Sequence, residues 1–402
     1  MRRGVWHQFG DRSQRLVQEQ LEAGNGVGVI ISPRDLAFHN AVNYANIYRE
    51  FGAEVIVDLQ FYNPQFHNGL IESYPVNEFR ISVSELCKIN ENQLSGLANS
   101  LRIINNDIGS SAILSPALLY EAGRNDLIEL NSRLFSVAKS VGDDLGIPTY
   151  ATVLLGRSAN VSEGNIASLL SYATGLNSDG WYFGFEFIQN RIPFNYDDIL
   201  RFGLALLTLA CTGKPVLHSY AGPLSLLSMG FGATGTAIGH SQNLWQFTRG
   251  RWEASTGSQG GSGDAPPRYF SRNLWGTFVY PDELIQLPVS LRERLLSPTP
   301  WSTMINEHSP LPWSRWEANK HLLYVIGHTV DLISQSANAI DCASVALEFL
   351  EQAIQLGNDI QQSGLTLRDD TCCYQNNWKR ALLQGLERYR DDYDYLSLLL
   401  AP

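Results

Sequence analysis

Residues 198–240 repeat one unit twice: a helix, a glycine stop, and a short apolar strand that ends in polar residues. Ile199, Phe202, Leu206, Leu207 and Ala210 recur at helical spacing, and Gly213 closes that helix. Residues 214–221 then read as a buried strand ending in His218, Ser219 and Tyr220. A shorter helix over 223–229 stops at the turn made by Gly230, Phe231 and Gly232. Residues 233–240 follow as a second strand, with Gly239, His240 and Ser241 at its end. A chain written in this unit folds as parallel α/β layers, whose ligands gather at the carboxyl ends of the strands. His218, Ser219, Tyr220, Gly239, His240 and Ser241 are therefore expected on one functional face.

The same unit recurs upstream. Strands are expected at 26–33, 54–61, 112–117, 149–155 and 180–187, with helices between them. Residues 1–25 read as a leading helix carrying Leu16, Val17 and Leu21. Seven even repeats, with no GxGxxG after the first strand, predict a (β/α)8 TIM-like barrel over a doubly wound sheet. An eighth repeat is not evident, and residues 278–280 are the candidate. The expected organisation is a barrel over 1–253, a flexible Gly/Ser-rich segment over 254–267, and a Trp/Pro-rich, then mostly helical, C-terminal extension over 268–402. The C-terminal helices either coat the barrel or form a small bundle, and offer a surface for a protein partner. The long irregular stretch 62–85 is expected to be a lid or binding loop.

Composition narrows the function classes. The formal charge of −11 argues against a protein that wraps nucleic-acid backbone. A local basic patch is still offered by Arg249, Arg251, Arg268 and Arg272. The five cysteines are odd in number and irregular in spacing, and they read as reduced thiols of a cytoplasmic protein. No apolar run reaches membrane-spanning length, and the basic N-terminus has no apolar stretch of a signal peptide behind it.

Candidate chemistry sits at the strand ends. Asp58 and Glu186 are the two carboxylates placed there, and such a pair suits acid–base work on glycosidic bonds. His218 and His240 end neighbouring strands and are expected to reach one ligand, as bases or as donors to a substrate oxygen. They lack the spacing of a metal motif, so no metal is assigned. Gly235, Gly239 and Ser241 belong to a glycine-rich strand of the kind that holds phosphate in barrels. Gln60, Arg34, Arg157 and Tyr220 are candidate substrate contacts, with Arg191 a further arginine following a strand.

Asp58-Leu59-Gln60, the acid of the fifth expected strand, the glycine-rich seventh strand and the insertion at 268–275 together resemble the tRNA-guanine transglycosylase-like barrels. The resemblance covers the barrel in outline. It implies N-glycosidic chemistry, and only Asp58 carries across as a site residue. That family's zinc-binding cysteine and histidine cluster has no counterpart here. Thr236 and His240 stand where its strand-seven aspartate nucleophile belongs.

The leading expectation is thus a barrel enzyme acting on a glycosidic or N-glycosidic bond of a small-molecule or nucleotide-like substrate. Asp58 and Glu186 do the chemistry, and His218 and His240 orient the substrate. The alternatives are a barrel oxidoreductase that binds flavin or phosphate, and a non-catalytic barrel subunit of a larger assembly. No cofactor is assigned from the sequence.

Overall fold

The computed structural model describes residues 1–66, 69–187, 192–252, 266–302, 305, 313–368 and 372–400. The expected flexible segment 254–267 lies almost wholly outside them, as does Arg191.

Eight strands form one parallel sheet: β1 (Gly4–Gln8), β2 (Gly28–Ile31), β3 (Glu54–Val57), β4 (Ile113–Leu114), β5 (Thr149–Leu155), β6 (Gly180–Phe185), β7 (Val216–His218) and β8 (Gly235–Ile238). Their order is β3-β2-β1-β8-β7-β6-β5-β4. The two outer strands meet where Ser111 N–H donates to Val55 O at 2.7 Å. A sheet whose ends meet in this way is a barrel. Helices α1 (Gln14–Glu22), α2 (Phe38–Glu50), α3 (Val83–Leu86), α4 (Glu91–Ile108), α5 (Asn125–Leu145), α6 (Glu163–Thr174), α7 (Tyr196–Ala210) and α8 (Ser225–Gly230) connect its strands. The expected barrel is therefore present.

Two expectations about its strands need correction. The missing strand is the first, because residues 4–8 pair with both β2 and β8 and close the barrel. Its short Gly-Val-Trp-His-Gln pattern alternates inward and outward, and five residues are too few to stand out without their partners. The candidate eighth strand, residues 278–280, instead belongs to a separate antiparallel hairpin, β9 (Arg268–Ser271) and β10 (Gly276–Val279).

Glycines let large rings fill the barrel floor. A Cβ on Gly28 would lie 2.4 Å from the Trp6 ring, and one on Gly180 would lie 2.6 Å from Tyr150. Trp6, Tyr150, Tyr182, Ile30, Ile56 and Leu217 pack together inside. Inward positions two residues further along the strands change character, to Gln8, Ser32, Asp58, Thr152 and Ser219. The barrel thus has an apolar floor and a polar upper layer.

The C-terminal helices coat the barrel. They are α9 (Val289–Leu295), α10 (Arg315–Ser334), α11 (Ala339–Gln362), α12 (Gln375–Arg388) and α13 (Arg390–Leu400). α10 packs on β1, α8 and α1. It therefore takes the outer-ring position of a helix following β8, with residues 239–314 inserted before it. α11 packs on α8, and α12 on α7. One apolar core runs through the β5–β8 side of the barrel and α10, α11, α12 and α13 without a break, while α9 packs with the β9–β10 hairpin. Among the described residues, no helix is long and apolar enough to cross a membrane.

Candidate active site

Asp58 follows β3 at the carboxyl end of the barrel and is 3% exposed. Three tyrosine hydroxyls converge on it. Tyr62 reaches both carboxyl oxygens, at 2.7 and 2.6 Å, while Tyr182 lies at 3.0 Å and Tyr220 at 3.3 Å from Oδ2. The Gln60 backbone N–H donates to Oδ1 at 2.9 Å. Burial pushes the Asp58 carboxyl above the usual range, against the lowering effect of these hydrogen bonds. Burial first, and then the nearby Asp58 charge, pushes the hydroxyls of Tyr62 and Tyr182 well up. Tyr220 is raised for the same two reasons. All three are therefore neutral donors at ordinary pH.

The Tyr182 proton has two possible partners. The single Tyr182 proton faces two acceptors, Asp58 Oδ2 and, at 3.2 Å, Gln8 Oε1. Either a protonated Asp58 donates to Tyr182, which donates to Gln8, or the Gln8 amide turns its Nε2 to Tyr182, which donates to Asp58. The backbone around the carboxyl is also unusual. Gln60 and Tyr220 both adopt the left-handed region, with φ of 56° and 52°. Side chains other than glycine seldom sit there, and such residues gather at active sites. The two meet through Gln60 Nε2, which donates to the Tyr220 hydroxyl at 3.0 Å; Ser32 Oγ donates to Gln60 Oε1 at 3.1 Å.

An aromatic plug covers this layer. Phe247 and Trp252 stack with centroids 5.0 Å apart, and Tyr62 meets the Trp252 ring edge-on at 4.8 Å. Tyr220 lies 5.7 Å from the Trp252 ring. Arginines fasten the segment that carries the plug. Arg249 pairs with Glu121 and, at 3.0 Å, with Glu186; Arg251 lies 3.3 Å from Asp35. Beside the plug opens a cleft of about 640 Å³, whose wall includes Tyr62, Lys88, Glu121, Arg124, Arg249 and Trp252.

The structure brings Asp58, Gln60 and Tyr220 together. Glu186 lies near the same mouth, fully buried, but its oxygens accept from the Arg249 backbone N–H at 3.0 Å and the Arg157 backbone N–H at 3.2 Å, as well as from the Arg249 guanidinium. In this form Glu186 anchors the plug. Arg157 is half-exposed, 3.7 Å from Glu186. Arg34 donates to the carbonyl of Arg251, and burial, with Arg251 nearby, lowers its pKa. Of the four arginines of the expected basic patch, Arg249 and Arg251 are thus paired with acidic partners.

The expected histidine pair is not formed. His218 faces outward at the level of Thr236, with Nδ1 2.7 Å from Ser228 Oγ and its ring against Phe202. Burial lowers its pKa to about 3. His240 sits four residues beyond that level, beside Gly10, and burial lowers it to about 4. A strand's side-chain period of two turned His218 into the helix layer.

Nor do the glycines of β8 form one cradle. Gly235 lies at the amino end of the strand, pairing with Gly4, where a Cβ would stand 3.2 Å from the Trp6 ring. Gly239 lies at the other end, where a Cβ would fall 2.3 Å from Leu244. Each glycine serves close packing. Ser241 is half-buried, and its carbonyl accepts from Leu244 N–H at 2.8 Å.

Sequence reasoning missed Gln8, Tyr62, Tyr182, Glu121 and Trp252. Tyr182 carried a readable signal, since it shares inward parity with Glu186 on β6. Glu121 was hidden because the chain beyond Pro116 rejoins the sheet only through an isolated bridge from Tyr120 to Leu155. Among the described residues, no group of three or more His, Cys, Asp or Glu side chains is placed to hold a metal ion.

No family model matches this chain, and no curated protein matches it. The link to the transglycosylase-like barrels is thus not shown. Solved structures do resemble it. An N-acetylneuraminate lyase from Mycoplasma synoviae aligns at 12% identity and a TM-score of 0.33, over 60% of this chain and 70% of that one. A GH10 xylanase from Bispora sp. MEY-1, solved with xylobiose, aligns at 13% identity and a TM-score of 0.37, over 58% of this chain and 82% of that one. Likenesses this distant carry no argument about chemistry, and the barrel assignment rests on the strand order and closure described above.

Proposed function

We propose that this chain is a barrel enzyme that moves a proton at Asp58 while a glycosidic or N-glycosidic bond is broken or exchanged. The observation that carries this reading is the buried Asp58 carboxyl, raised in pKa and held by three tyrosine hydroxyls at the catalytic end of a barrel. A raised carboxyl pKa favours the protonated form that a general acid needs. Gln60 and Tyr220 fix its position and face the substrate. Glu186 is the second carboxylate of the pair, freed for the reaction when Arg249 leaves with the plug. Arg34 and Arg157, at the rim, meet the outer part of the substrate, and His240 lies beside Gly10, with Arg251 near. His218, turned into the helix layer, has no part in this mechanism.

The test is turnover of a panel of aryl glycosides and nucleosides by the wild type, Asp58→Asn and Glu186→Gln. Loss of a general acid lowers kcat by about 10²–10⁴-fold. Asp58→Asn should fall by that much while retaining the wild-type circular dichroism spectrum. An Asp58→Asn protein with unchanged kcat on a turned-over substrate would sink the reading. The covered mouth favours one other reading, a non-catalytic subunit. A wild type that turns over nothing in the panel and co-purifies with a fixed partner would establish it instead.

A further inference from the structure

Two inward side chains of the upper layer have polar atoms that nothing in the barrel satisfies. Gln8 is 1% exposed and Thr152 is 4% exposed. Gln8 uses its Oε1 on Tyr182, but among the described residues Gln8 Nε2 and Thr152 Oγ1 have no hydrogen-bond partner. Both point into the barrel by register. Gln8 stands two residues above Trp6, which fills the floor. Thr152 pairs across the ladder with Tyr182, between the floor residue Tyr150 and Leu154, which touches the plug. A buried polar atom left unpaired costs about 1–3 kcal/mol. Two of them in the layer of Asp58, where leucine and valine would fill a barrel without that cost, mark this layer as built to bind.

The surroundings define what would bind. The groups bonded to Asp58 are tyrosine hydroxyls and a backbone N–H, while Arg34, Arg249 and Arg251 are engaged at the rim by carbonyl and carboxylate oxygens. Among the described residues, an anion beside Asp58 would meet arginines already engaged by these oxygens. An ammonium ion would leave the Gln8 N–H unmatched, since it has no acceptor. A hydroxyl both gives and accepts, and so suits Gln8, Thr152 and Asp58 together. The rings of Tyr62, Tyr220, Phe247 and Trp252 offer apolar faces above them.

We infer that Gln8 and Thr152 bind hydroxyl groups of a neutral, polyhydroxylated ring, whose place in the barrel mouth is held by Trp252 and Phe247 until the 242–252 segment moves aside. This deepens the proposed function and rests on its placement of the reaction at Asp58, but its test reads binding and not turnover. The probes are methyl β-D-glucopyranoside and uridine as neutral rings, glycerol 3-phosphate as an anion and butylamine as a cation. Binding is followed by saturation-transfer NMR and by tryptophan fluorescence. Trp252→Ala should bind a neutral probe at least tenfold more tightly than the wild type does. Adding Gln8→Leu or Thr152→Val to it should weaken that binding about tenfold, the effect of one hydrogen bond. Preference for the phosphate or the amine, or neutral binding indifferent to both polar substitutions, overturns the inference.

A second measurement stands even where Trp252→Ala fails to fold. Thr152→Val, alone in the otherwise intact chain, should raise the melting temperature, because it removes an unpaired buried polar atom, and Gln8→Leu, which also removes the acceptor of Tyr182, should leave it about unchanged. A clear fall in both would show that these groups serve the fold, and would overturn the inference. Probes that bind as expected to a protein that turns over no substrate would retain the binding site and remove the reaction. Turnover lost in Asp58→Asn, with KM unmoved by Gln8→Leu and Thr152→Val, would retain the reaction and remove this ligand assignment.

Discussion

Asp58 illustrates how one side chain can be favourable for chemistry and costly for the fold. Its folded pKa lies above the ordinary carboxylate value, so the folded state holds the proton more tightly than the unfolded chain does. Its stability contribution is present below the usual Asp value near pH 4 and is lost as pH rises through the raised folded value. Asn has the same shape and no charge. Asp58→Asn should therefore melt higher than the wild type at pH 7, and the gap should close on acidification. Thermal melts from pH 4 to 8 read both effects. The buried histidines act in the opposite direction. His7, His240 and His321 are lowered by burial to about 4 and His218 to about 3. In the folded protein they stay neutral while the unfolded chain takes up protons below pH 6.5. Their contribution is full above pH 6.5 and is lost as pH falls to about 4. Stability in urea should decline across that window, and His218→Gln should make the decline shallower.

At the scale of elements, the glycines of the strands are set by the rings opposite them. Gly28→Ala would push a methyl group into Trp6, and overpacking of this kind costs about 1–3 kcal/mol. Urea unfolding of Gly28→Ala should show that loss, and a Trp6→Leu change in the same chain should recover part of it. The plug segment depends on charge. Arg249 is the guanidinium within 3.0 Å of the fully buried Glu186 carboxylate. Removing one partner of a buried pair leaves an uncompensated charge and costs about 3–5 kcal/mol. Arg249→Ala should be destabilised toward the low end of that range, because Arg157 and two backbone N–H groups remain. The Arg249→Ala, Glu186→Gln double variant should be less destabilised than Arg249→Ala. A melt series of the three variants decides this.

At the scale of the molecule, barrel and C-terminal helices share one core. The first 314 residues contain all eight strands but lack α10, which packs on β1, and α11 and α12, which cover α8 and α7. A chain cut after residue 314 would expose the faces of α7 and α8 together with Phe231, which lies against Gly385 of α12. Exposed apolar area of that extent is an aggregation surface. The truncated chain is expected to be insoluble, or to bind a hydrophobic dye without a cooperative melt. A soluble, cooperatively melting fragment would show that the barrel is a separate domain.

The sequence by itself determined the class of fold, because helical spacing, glycine stops and apolar strands are local patterns that survive without tertiary context. It also placed Asp58, Gln60 and Tyr220 at strand ends, since a polar residue closing a buried strand is visible in one dimension. The inward or outward sense of each strand end was decided only when the barrel closed. Parity sent His218 into the helix layer and Tyr182 to Asp58. The short β1 gained its identity from two neighbours far away in sequence, and Gln8 came with it. Pairing of Glu186 with Arg249, and the seating of Trp252 over the polar layer, join residues tens of positions apart. Contacts of that range arise from packing, and no local period in the chain encodes them.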